Sequence, residues 1–190
     1  MERRDLFRAL GAASALALLP LPHDVVEAWA RVASGLRSTD GMSDAQLALV
    51  GAIGDTIIPR TDTPSATDVQ VPAFVNVMVA EYYTDGERTA FVAGLSAIDA
   101  HATANGGGAF ASLGEDARGK VIESIEALAE RRAEPARTYW RLKDLVVSGY
   151  FTSEPVMKQV LKVQVMPGKF EGAAPMPKRG ASPSSGGAHV

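Results

Sequence analysis

Apolar residues recur at intervals of three and four along most of the middle of this chain, which is the spacing of a helix with one buried face. "SDAQLALVGAIGDTIIP" (Ser43 to Pro59) shows it first, with Leu47, Val50, Ile53 or Gly54, and Ile57 on one side. Ser43 is a suitable N-cap, Asp44 suits the first turn, and Pro59 ends the run. Pro72 opens a second helix through "AFVNVMVAEYYTD", burying Phe74, Val77, Met78 and Tyr82 or their neighbours. A third spans about Gly86 to Ala104, with Phe91, Leu95, Ile98 and Ala102 inward, and "NGGG" stops it. The fourth, roughly Glu115 to Arg132, turns Val121, Ile122, Ile125 and Leu128 inward. Pro135 begins a fifth, through Trp140, Leu142, Leu145 and Val146 to Gly149, and Ser153 with Pro155 suggests a short sixth turn. Period-two alternation is confined to a short "LKVQV" at Leu161 to Val165. The pattern predicts an all-α fold, a single irregular bundle of five to six helices.

The segments outside this pattern differ in kind. "PRTDTPSATDVQVP" (Pro59 to Pro72) has three prolines and no apolar periodicity, and is long for a connection inside a small domain. At the start, "ERRDLFRALGAASALALLPLP" (Glu2 to Pro22) sets Arg3-Arg4 before an uncharged run from Ala9 to Pro22. Fourteen residues reach about 21 Å as a helix, short of the roughly 20 residues a bilayer span requires. The paired arginines and weakly hydrophobic run read as a twin-arginine export signal, a route that carries proteins already folded. Ala28-Trp29-Ala30 is an A-x-A cleavage candidate with a bulky centre, and whether the leader is removed stays open. Residues 1–30 are assigned to the signal segment, 31–42 to a linker, 43–172 to the helical domain and 173–190 to a Pro/Ser/Gly tail that reads as disordered. Within this division His23 to Gly41 reads as connecting chain of mixed character, and "VQVMPGKFEG" as extended.

Composition narrows the function. The 190 residues carry a net charge of −3 with both signs interspersed, which speaks against nucleic acid as a partner. Cysteine is absent, excluding thiol chemistry, thiolate metal sites and c-type haem attachment. Of three histidines only His101 falls inside the helical domain, too few for a histidine metal site, and no G-x-S-x-G accompanies it to mark a nucleophilic serine. Glu123 and Glu126 lack the Glu-x-x-His partners a diiron bundle needs, and Gly106 to Gly108 joins two helices rather than following a strand. Asp62 and Asp68 lack EF-hand spacing and suit turn and capping roles. The reading is that of a chain that is not itself an enzyme, with no cofactor and no metal of its own.

Two blocks carry a resemblance. "IGDTIIPRTDTPSATDVQVPAFVNVMVAEYY" (Ile53 to Tyr83), and "YWRLKDLVVSGYFTSEPVMKQVL" (Tyr139 to Leu161) with "MPGKFEG" after it, resemble the gluconate 2-dehydrogenase subunit 3 family. Together with the leader the resemblance covers most of residues 1–172. Ala173 follows Gly172 where the family block often continues into cysteine, so no covalent role of that position carries over. The resemblance implies a non-catalytic small subunit of a periplasmic or membrane-associated dehydrogenase. Its catalytic partner would be a signal-less, FAD-bearing flavoprotein of the glucose-methanol-choline oxidoreductase type that oxidises sugars or sugar acids. A cytochrome c subunit commonly takes the electrons onward. The small subunit then lends its signal to a flavoprotein that must be loaded with FAD, and folded, before it meets the twin-arginine translocase.

On that reading the partner surface is expected at the Pro59–Pro72 loop and the "GYFTSEP" corner (Gly149 to Pro155). Its candidate residues are Arg60, Asp62, Pro64, Tyr150 and Phe151, because arginine and aromatic side chains dominate interface energetics. Phe151 has a competing place in the domain's own core. The alternative reading of the whole chain is an independent exported helical domain that binds a ligand or a surface.

Overall fold

The computed structural model describes residues 22–35, 41–128 and 132–163. The leader arginines Arg3 and Arg4, the "VQVMPGKFEG" segment after its first residue, Val163, and the 173–190 tail lie outside these residues. Regular structure among the described residues is helical throughout: α1 (His23–Ser34), α2 (Asp44–Ile57), α3 (Val71–Val77), α4 (Asp85–Gly106), α5 (Glu115–Glu126) and α6 (Ala136–Thr152). Helix α3 runs on into a π-helical turn at Met78–Tyr82, a 3₁₀ turn at Phe110–Ser112 precedes α5, and a second π-helical turn at Val156–Val160 follows α6. The all-α bundle expected from the periodicity is the fold observed.

Local chemistry starts the long helices where the pattern places them. Ser43 and Gln46 form a reciprocal capping box at α2: the Ser43 N–H donates to Gln46 Oε1 at 2.8 Å, and Ser43 Oγ accepts from the Gln46 N–H at 3.3 Å. Thr84 and Glu87 repeat it at α4, where the Thr84 backbone N–H and hydroxyl hold the Glu87 carboxyl below its ordinary value. Gly107, at φ 83°, ends α4 in the left-handed conformation that glycine adopts without strain.

The short α3 sits at the centre, packed against α1, α2 and α6, while α4 packs on α5 and α6. Phe74, Val71 and Val75 of α3 meet Val50 and Ile53 of α2, and Leu142 and Val146 of α6, in one buried core. Two glycines set the helix separations. A Cβ at Gly149 would lie 2.7 Å from Phe74 Cδ1, and one at Gly94 would lie 1.9 Å from Thr138 Oγ1. Side chains at either position would push apart helices whose contact the core depends on.

Three local expectations are corrected. The stretch from His23, read as connecting chain, is helical to Ser34 and inserts Val25, Ala28 and Trp29 into the core. Tyr82 is 36% exposed, because the π-helical turn adds a residue per turn and swings it out of register. Tyr83 instead packs edge-on against Phe91, with ring centroids 5.8 Å apart. Leu128 does not face inward, since α5 ends at Glu126. On α6 Trp140 is half-buried and Tyr139 fully buried. Its hydroxyl donates to Glu126 Oε1 at 2.5 Å, which also accepts from Lys143 Nζ at 2.6 Å.

Candidate functional site

The loop between α2 and α3 is long but tied down along its length. Ala66 and Val69 are buried and anchor it apolarly, and the Ala66 N–H donates to the Ile58 carbonyl at 3.2 Å. Asp55, on the last turn of α2, accepts from the Thr67 N–H at 2.9 Å and from its hydroxyl at 2.7 Å. Ser65 and Asp68 form a reciprocal pair: the Ser65 N–H donates to Asp68 Oδ2 at 2.8 Å, and the Asp68 N–H to Ser65 Oγ at 3.4 Å. That S-x-x-D spacing is a capping signature legible in the sequence, although it is not followed by a long apolar run. Arg60 pairs with Asp68 and leaves 71% of its side chain exposed. The Ser65 backbone N–H above all, with help from Arg60 and the Ser65 hydroxyl, holds the Asp68 carboxyl below its ordinary value. Gln70, at φ 62°, turns the chain into α3.

The C-terminal corner of α6 meets this loop. Tyr150 is 4% exposed, and its hydroxyl donates to the Pro64 carbonyl at 2.8 Å across 86 residues of chain. Phe151 stands edge-on to Tyr150 at 5.4 Å and is 48% exposed. Val147, one turn earlier on the same face, is also exposed. The five residues expected at a partner surface therefore divide by role. Arg60, Asp62 and Phe151 present surface, whereas Pro64 is half-buried and Tyr150 ties the loop to the corner from beneath. The competing reading of Phe151 as core does not hold, since about half of it faces solvent.

An open pocket of about 370 Å³ lies beside the loop, walled by Asp55, Thr56, Pro59, Arg60, Glu115 and Arg118. Two of its polar groups already serve the fold: Asp55 holds Thr67, and Arg118 donates to the Phe110 carbonyl at 3.2 Å. His101 also has a structural partner, its Nε2 lying 2.8 Å from Ser124 Oγ between α4 and α5. Among the described residues no three His, Cys, Asp or Glu side chains cluster as metal ligands, and no helix is long and apolar enough to cross a membrane. The arrangement suits recognition of a surface: a rigid polar loop beside an exposed aromatic, both backed by one core.

Asp55 and Thr67, which brace the loop, carry no signal of their own in the sequence. Twelve residues separate them, and nothing local couples two ordinary polar side chains at that distance. A family model described as gluconate 2-dehydrogenase subunit 3 matches the chain over residues 44–168. No curated protein and no solved structure matches the chain.

Proposed function

Because this chain belongs to the gluconate 2-dehydrogenase subunit 3 family, we propose that it is the non-catalytic small subunit that carries an FAD-dependent flavoprotein through twin-arginine export. Its partner on this reading is a signal-less flavoprotein of the glucose-methanol-choline oxidoreductase type acting on a sugar or sugar acid, with a cytochrome c subunit as electron acceptor. The complex works in the periplasm or at the membrane facing it. The flavin belongs to the partner, and this chain contributes a binding surface and an address.

The observation that carries the reading is the span of the match. It takes in both the loop and the α6 corner, the two segments that Tyr150 joins into one exposed surface. A rigid loop loses little conformational freedom on binding, which favours a stable complex during transport.

Replacing Arg3 and Arg4 together by lysine tests the export role. Lysine keeps the charge but not the planar five-donor guanidinium that a receptor reads. With both genes expressed, the flavoprotein's dye-linked sugar dehydrogenase activity is expected to remain in the cytoplasm, folded and FAD-loaded, although its own sequence is untouched. Normal export of the flavoprotein with that variant overturns the proposal.

A further inference from the structure

We infer that α1 is a permanent part of the folded protein, and that folding seals the Ala28-Trp29-Ala30 motif against proteolytic processing. The inference takes its interest from the export reading above, in which the leader's removal is the open question, but it stands on the packing of α1 alone. A leader peptidase binds its substrate as an extended strand and seats the two small residues of an A-x-A motif in pockets of its own. In this chain the same residues lie within a hydrogen-bonded helix, and Ala28 is fully buried.

Trp29 is the centre of the attachment. Its ring stacks on Phe74 at 5.1 Å with 22° between the planes, and its Nε1–H donates to Thr152 Oγ1 at 3.0 Å. Two polar contacts flank it. Tyr82 donates to Glu27 at 2.9 Å, and Arg31 pairs with Glu81 at 2.7 Å, binding α1 to the π-helical turn. Partial desolvation of the Tyr82 hydroxyl and its bond to Glu27 push the phenol up to about 12. Cutting after Ala30 would remove Val25, Ala28 and Trp29 from the core and uncover Phe74, the side chain on which α1, α3 and α6 converge. The bulky residue that makes the motif a poor cleavage signal is the one the fold uses as an anchor. The working protein therefore retains residues 23–34.

Chymotrypsin, which cuts after Trp29 and so within the motif, tests this on the full-length chain without any need for export. Intact-mass analysis should show the Trp29–Ala30 bond cut at least about 100-fold more slowly in the folded chain than in urea, as expected of a bond reached only through local opening. Thr152→Val leaves the indole N–H without its acceptor and should raise the folded-state rate several-fold with the helical circular dichroism unchanged. Equal cutting in the folded and unfolded chains overturns the inference. So does a folded protein, isolated from cells that process it, whose N terminus is Arg31. The compartment in which the chain is found bears on the export reading alone.

Discussion

Phe151→Ala separates the outer surface from the core that supports it. A phenylalanine buries about 200 Å² when fully covered, so the 48% that faces solvent leaves about 95 Å² for a partner to take up. At about 25 cal/mol per Å² this corresponds to about 2.4 kcal/mol, or about a 60-fold weaker Kd if the partner covers the ring. The inner half rests edge-on against Tyr150, and losing that contact should cost the isolated subunit about 1–2 kcal/mol, a fall of roughly 4–8 °C in Tm. Affinity and stability thus fall by separable amounts. Titrating purified flavoprotein onto immobilised small subunit measures the first, and thermal melts followed by circular dichroism measure the second. Adding Arg60→Ala should weaken binding further while leaving the melt of the single variant nearly unchanged, since the Arg60 side chain is largely exposed. A Kd within threefold of the parent, with helicity intact, would place the partner surface elsewhere and refute the reasoning.

Two further outcomes follow from the packing and the loop. Gly94→Ala sets a Cβ 1.9 Å from Thr138 Oγ1 and 2.6 Å from Thr138 Cβ, so α4 and α6 must separate; a loss of about 2 kcal/mol is expected by denaturant unfolding, partly recovered by Thr138→Ala in the same chain. The Asp68 carboxyl titrates below its ordinary 3.8 when folded, so its contribution is complete above that value and is lost as pH falls through the lower folded value; exchange of the Ser65 amide should be protected at pH 5 and exposed in strong acid, with Asp68→Asn abolishing the pH step.

What the sequence could determine is what neighbours within a helical turn decide. The Ser43–Gln46 cap, the face of Phe91, Leu95, Ile98 and Ala102, and the glycine stop after α4 depend on spacings of three and four, and all appear in the structure. The all-α class follows from the same local periodicity. Tertiary contacts decided the rest. Val25, Ala28 and Trp29 have helical spacing, but their place in the core depends on Phe74 and Thr152, 45 and 123 residues after Trp29. Tyr82 and Tyr83 are equally apolar as letters, and a single π-helical turn determines which of them faces solvent. Tyr150 and Phe151 make the same point at the candidate site. The close approach of Gly149 to Phe74 fixes the roll of α6 on α3, and that roll sends the Tyr150 hydroxyl to the loop and leaves Phe151 outside. A helix repeats its own contacts every turn and so announces itself in sequence, whereas its rotation about its axis is set by the partners it packs against.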